Sequence, residues 1–207
     1  MYARTTNVEA DPQRIDEGIR HVRDEVMTAV QSMPGCMGLS MLCDRDSGRC
    51  IVTTSWDSEE SMSASREAVR AMREQATDVM GGRFDVQEWE IAVMHRAHAM
   101  GDGAWARLTF SRLHDAGQAD RVIEAWKANI LQRMDEFDGF SSVSLLVNRD
   151  TGRGVGTMCF DNRQALDASR DAAERMRAEF AGRIGVDITE VVEMEVAIHH
   201  LRVPEMV

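Results

Sequence analysis

At 207 residues the chain has room for one large domain or two small ones, and its 24 basic and 35 acidic residues leave a net charge of −11. Such a surface repels polyphosphate and anionic lipid, which argues against nucleic-acid and membrane partners. No apolar run approaches the length of a membrane span, and Met1-Tyr2-Ala3-Arg4-Thr5-Thr6 lacks the apolar stretch of a signal peptide, so a cytoplasmic protein is expected.

The first predicted element is a short alternating strand from Tyr2 to Val8. Asp11-Pro12 then offers an N-cap followed by a first-turn proline. Ile15, Ile19, Val22, Val26, Val30 and Met33 recur at three- and four-residue steps, the stripe of an amphipathic helix that ends near Gly35. Asp44-Arg45-Asp46-Ser47-Gly48-Arg49 predicts a tight reversal between two strands. After Trp56, Asp57 and Glu60 have capping-box spacing for a second helix with an inward stripe of Met62, Ser65, Val69, Met72, Ala76 and Val79. The closing strand alternates, with Trp89, Ile91, Val93 and His95 on one face and Glu88, Glu90, Ala92 and Met94 on the other.

The same order then repeats. Gly35 to Arg73 set against Gly139 to Arg177 gives 15 identities in 39 gap-free pairs, among them Arg45-Asp46/Arg149-Asp150 and Ala64-Ser65-Arg66/Ala168-Ser169-Arg170. Strand one recurs at Ala104 to Phe110, and helix one as Ile123, Trp126, Ile130, Met134 and Phe137. The turn recurs at Asn148 to Arg153, Asp161 and Gln164 open helix two, and Met194, Val196, Ile198 and His200 share a face of the last strand. A repeat of this size is a domain rather than a solenoid unit. The chain is therefore read as α+β, two tandem ferredoxin-like βαββαβ modules at 1–98 and 104–203 joined by the linker His98 to Gly103. Four cysteines, Cys36, Cys43, Cys50 and Cys159, have no metal spacing and are read as free thiols, with a cross-strand Cys43/Cys50 bridge left open.

Pro34-Gly35-Cys36-Met37-Gly38, the Asp-then-Gly hairpin and Trp56-Asp57-Ser58-Glu59-Glu60 resemble the antibiotic biosynthesis monooxygenase family of the dimeric α+β barrel superfamily. The resemblance covers both halves, more loosely in the second. It implies that the two modules pack as an intramolecular dimeric α+β barrel, with a ligand pocket in each between sheet and helices. It also implies a cofactor-independent monooxygenase-like protein acting on a small hydrophobic or aromatic metabolite, with neither metal nor organic cofactor. Family members of this kind use an Asn and a Trp on strand three and a Tyr early in helix two. Here Trp56 matches, while Val52 and Met62 stand at the other places. The haem-degrading branch is similar at Asn7 and Trp56, yet Met62 to Met80 carries no histidine for an axial ligand. Two alternatives stand beside the enzyme: a non-catalytic small-ligand-binding or stress-associated protein, and haem binding or degradation as a third. A homodimer of the fused chain is left open.

The candidate pocket residues are Asn7, Trp56, Ser65, Met72, Trp89, His95, Phe160, Ser169 and His200. For Ser65 and Ser169 the hydroxyl either back-bonds to the preceding helical turn or points into a cavity. His95 and His200 end an apolar strand face, as boundary residues or as a base at the pocket mouth. Arg66, Arg73, Arg170 and Arg177 on helix two read as solvated ion-pairing residues or as a gate for an anionic substrate. Arg4 and Arg107 are expected to pair with Glu88, Glu90, Glu193 or Glu195 on a charged face directed into the barrel. The working pocket is placed in the first half, which keeps Trp56 and Asn7, whereas Gly154 and Gly156 loosen strand three of the second.

Overall fold

The computed structural model describes residues 1–207, apart from the side chain of Asp135. In chain order the elements are β1 (Tyr2–Glu9), α1 (Ile15–His21), a π-helical turn (Val22–Val26), α2 (Met27–Gln31), β2 (Cys36–Cys43), β3 (Arg49–Trp56), α3 (Glu59–Ala64), α4 (Arg66–Met80) and β4 (Arg83–Arg96). The second copy supplies β5 (Trp105–Leu113), α5 (Ala119–Asn129), a 3-10 segment (Leu131–Glu136), β6 (Phe140–Asn148), β7 (Arg153–Phe160), α6 (Arg163–Ala168), α7 (Arg170–Ile184) and β8 (Val186–Leu201).

Two compact units result, and their limits differ from the sequence modules 1–98 and 104–203. The first comprises Met1–Trp89 with Glu195–Val203, the second Glu90–Met194 with Pro204–Val207. The reason is the length of the closing strands. β4 and β8 run 14 and 16 residues, so each completes the sheet of its own repeat and then continues into the other unit. Strand order in the first unit is β4–β1–β3–β2–β8, and in the second β8–β5–β7–β6–β4. β1 and β2 flank β3 in antiparallel register, as β5 and β6 flank β7. Each unit is a ferredoxin-like α+β sheet with helices on one face.

The helix-facing core of the first unit gathers Val8, Ile15, Ile19, Val22, Val26, Val30, Leu39, Met41 and Trp56, so the predicted stripe of helix one is the buried one. In the second unit Ile123, Trp126, Ile130, Met134 and Phe137 pack with Phe140 and Phe160, although α5 stops at Asn129 and the remainder tightens to a 3-10 turn. Helix two also departs from the expectation. Its N-caps are Ser58, accepting from the Ser61 amide, and Asn162, accepting from the Ala165 amide, one residue beyond Asp57 and Asp161. It breaks at Ser65 and Ser169 into α3/α4 and α6/α7.

The single-faced reading of β4 and β8 needs a larger correction. The register of β4 on β6 slips between Ile91 and Val93, and that of β8 on β2 between Ile198 and Val196. One extra residue reverses which side chains face the helices. Trp89 therefore lies on the side away from the helices, its Nε1 donating to Thr5 Oγ1 at 2.9 Å, whereas Val93 belongs to the helix-facing core of the second unit. Before the bulge the glutamates face the helices. Glu88 is reached by Arg66 of α4, and Glu193 by Arg170 of α7, so this charged face is turned toward the helical layer and not away from it. All four cysteines are free; Cys43 and Cys50 face each other across β2 and β3 with their sulfurs 3.3 Å apart.

Candidate functional site

The most heavily built polar feature occurs twice. Arg4 on β1 is 2% exposed and Arg107 on β5 is 1% exposed. Arg4 donates through Nη1 to Ser65 Oγ (3.0 Å), through Nη2 to the Met62 carbonyl (2.7 Å) and through Nε to Glu88 (2.9 Å). Arg107 repeats this with Ser169 (2.7 Å), Leu166 (2.8 Å) and Glu193 (2.8 Å). Both serine hydroxyls also donate to those same carbonyls at 2.7 Å. Each nitrogen of the buried guanidinium group is thus engaged by the helix break or one carboxylate, an arrangement that ties strand one to helix two. Ser65 and Ser169 accordingly do not face a cavity.

The space for a ligand lies beside this clamp, between the sheet and the two helices, at the same place in both units. In the first it is small, about 430 Å³ including its open mouth, and lined by Thr6, Val8, Val22, Val52, Met72 and Arg73 among others. In the second it measures about 820 Å³ on the same basis, with walls of Thr109, Trp126, Gly154, Gly156, Met176 and Arg177, closed by Phe180 and Ile188. The difference is written in the strands. Cys50 and Val52 in β3 correspond to Gly154 and Gly156 in β7, and Val8 corresponds to Ser111. Two glycines two residues apart remove side chains from one face of a strand. A Cβ placed on Gly156 would lie 3.9 Å from Trp126 Nε1, ordinary contact distance, so the indole edge borders the space left where Val52 stands in the first unit. The first unit is also closed by its helices. Gly18 lets α1 approach α4 so closely that a Cβ there would fall 2.3 Å from Met80 Cγ.

Of the sequence candidates, Met72 lines a cavity, the smaller one. Trp56 is fully buried core, donating to Thr54 Oγ1 at 3.2 Å, and Phe160 is core in edge contact with Phe137 and Phe140. Asn7 alternates with the cavity residues Thr6 and Val8 and lies on the opposite sheet face, as Trp89 does. His95 stacks on Phe140 with Nδ1 3.1 Å from Glu205 Oε2, and His200 sits near the end of β8 opposite Leu39; neither lines the two cavities. The working pocket is expected from the sequence in the first half, but the larger of the two cavities lies in the second: Trp56 is spent on packing, while the glycines of β7 leave space. The residues missed are Trp126, Thr109, Met176 and Arg177, and the signal for them was Gly154-Val155-Gly156 opposite an aromatic in helix one.

The two helix arginines differ. Arg73 donates to Thr6 Oγ1 at 3.1 Å and lies 5.5 Å from the Phe84 ring centroid. Arg177 shares its cavity with Thr109, the counterpart of Thr6, and with Ile188. Burial, followed by the neighbouring Arg107 charge, pulls the Arg177 pKa below its ordinary value; burial and then Arg4 do the same at Arg73. No cluster that could hold a metal occurs among the described residues, and no helix among them is long and apolar enough to cross a membrane.

This fold, with a greasy hollow under its helices, has relatives. Residues 1–75 match the antibiotic biosynthesis monooxygenase family. An uncharacterised Mycobacterium tuberculosis protein, Rv2557, is 44% identical over 207 residues, spanning 100% of this chain and 92% of its own. Among solved structures, a monooxygenase candidate from Lactobacillus acidophilus superposes with TM-score 0.71 at 11% identity, covering 97% of this chain and 96% of its own. An anthrone oxidase-like protein superposes with TM-score 0.66 at 18% identity, covering 96% and 92%. At those identities the superpositions speak for the fold. The chain belongs to one family with the mycobacterial protein, and within it the first 75 residues are similar to the antibiotic biosynthesis monooxygenase family.

Proposed function

We propose that the protein is a monooxygenase-like enzyme that takes a small hydrophobic, aromatic-sized molecule into the cavity of its second unit and needs no resident cofactor. The observation that carries the reading is the pair Gly154 and Gly156, which enlarges one copy of a duplicated cavity while the other is filled by Val52 and Met80. A cavity kept open in one repeat costs packing, and an apolar pocket with a few convergent polar groups is the ordinary form of a small-molecule site. Trp126 and Phe180 supply flat apolar walls, and Thr109 and Arg177 supply the polar groups.

Family resemblance supports oxygenation by dioxygen of an electron-rich ring substrate. In that reaction an activated methylene becomes a carbonyl. One oxygen atom enters the product, the other leaves as water with both methylene hydrogens, and the substrate supplies all four electrons. The chain's part is to bind the ring, exclude bulk water and favour the ionised form of the substrate. Oxygen uptake with anthrone- and quinol-like phenols, without added metal or flavin, tests this. Uptake above the buffer rate that falls in Gly156→Val supports the enzyme. No uptake by a protein that still binds these compounds leaves a non-catalytic binding protein, and a Soret shift on haem titration would favour the haem reading.

A further inference from the structure

The cavity of the second unit is apolar over most of its wall, yet the hydrogen-bonding side chains that reach it are Arg177, Thr109, Ser111 and Trp126. Guanidinium and indole N–H are donors only, and a hydroxyl can donate. No carboxylate lines the space. Among the described residues Arg177 makes neither a hydrogen bond nor an ion pair, although it is half-buried, and the nearest carboxylates are engaged elsewhere or reach it only through space. Glu193 is shared by Arg107 (2.8 Å), Arg163 (3.2 Å) and Arg170 (3.0 Å). Glu174, one turn earlier on α7, is exposed, and it and Glu193 attract Arg177 through space without bonding to it. The equivalent Arg73 is occupied by Thr6 and Phe84, whereas Ile188 in the wall of the second cavity offers no ring.

A half-buried cation against an apolar wall, beside the buried Arg107, is a place where a negative group on a ligand is favoured. It is notable in a chain of net charge −11, whose overall field repels anions. A guanidinium fork accepts the two oxygens of a carboxylate side by side, or one phenolate or enolate oxygen. Walls of Ile123, Trp126, Leu145, Val147 and Phe180 suit a planar or branched hydrocarbon body and not a sugar or a nucleotide.

We infer that the second-unit cavity selects a small apolar molecule bearing an oxyanion, which Arg177 holds, with Thr109 and Trp126 as neighbouring donors. This rests on the reading of that cavity as the ligand site. It adds that the ligand enters as an anion, or loses its proton on entry, and that Arg177 and not Arg73 sets the preference.

Calorimetric titration at neutral pH with 2-naphthoate and its neutral isostere 2-naphthamide tests it, using the full chain, Arg177→Met, Arg177→Lys and Arg73→Met. A hydrogen bond to a charged group predicts that the parent binds 2-naphthoate about 10- to 100-fold more tightly than 2-naphthamide. Arg177→Met abolishes that preference, Arg177→Lys keeps part of it, and Arg73→Met leaves it intact. Equal affinities in the parent, or a preference that survives Arg177→Met, overturn the inference while leaving the cavity as the binding site. Failure of both ligands to bind overturns the inference and the cavity reading together. Should Arg177→Met not fold, Arg177→Lys and Arg73→Met still decide: a preference untouched by Arg177→Lys, or lowered by Arg73→Met, overturns the inference. Arms with 2-naphthol above and below its own pKa distinguish a phenolate from a carboxylate ligand.

Discussion

Arg107 Nη2 lies 2.8 Å from Glu193 Oε1, and the same guanidinium holds Ser169 and the Leu166 carbonyl where α6 meets α7. Strand one, helix two and strand four of the repeat are thereby tied at one buried point, and Arg4, Glu88, Ser65 and Met62 tie the first repeat in the same way.

Removing Arg107 leaves the Leu166 carbonyl and Ser169 short of a donor, while Glu193 keeps Arg163 and Arg170. Arg107→Ala is expected to cost about 3 kcal/mol, near the low end for one partner of a buried pair. That corresponds to a fall of roughly 6–12 °C in the unfolding midpoint. Ser169→Ala should cost less, and the double mutant less than the sum, because both act on the same carbonyl. Comparable midpoints for Arg107→Ala and the parent in a thermal melt would remove the clamp from the account.

Two helical glycines make opposite predictions. Gly18→Ala places a methyl group against buried Met80, and overpacking should outweigh the gain in helix propensity by about 1–2 kcal/mol. Gly182 in α7 has nothing within 4 Å of an added Cβ, so Gly182→Ala should stabilise by about 0.5–1 kcal/mol. Urea unfolding of both variants checks the sign.

Cys159 gives a pH dependence. Burial pushes its thiol up to about 11, against a smaller lowering by Ser142. The folded form therefore resists ionisation that the unfolded chain allows from near pH 9. The contribution is complete below that pH and is lost as pH rises through the folded value, by about 2–3 kcal/mol in all. Unfolding free energies of the parent should fall across this range more steeply than those of Cys159→Ala; parallel curves would contradict the assignment.

The duplication, the element order and the buried stripes were legible because they rest on periodicity and on residues that recur at a fixed spacing, such as Arg45/Arg149 and Ser65/Ser169. The partnership of Arg4 and Arg107 with strand-four glutamates was legible too. The direction of that face was not, because the bulges near Ala92 and Ala197 leave no mark in an alternating sequence. The site was least legible. Trp56 and Asn7 attracted attention as functional residue types, yet one is core and the other lies on the far face. The cavity depends on what is missing from β7, and a hole made by Gly154 and Gly156 becomes apparent only once Trp126 is seen across from them.

The most direct test of the account is calorimetric titration of a neutral aromatic probe, 2-naphthamide, into the parent, Gly156→Val and Val52→Ala. The account predicts one equivalent bound by the parent, binding weakened about tenfold or more when valine refills the space over β7, as expected for loss of most of an apolar contact surface, and no change for Val52→Ala. Unaltered binding by Gly156→Val would place the ligand elsewhere and contradict it.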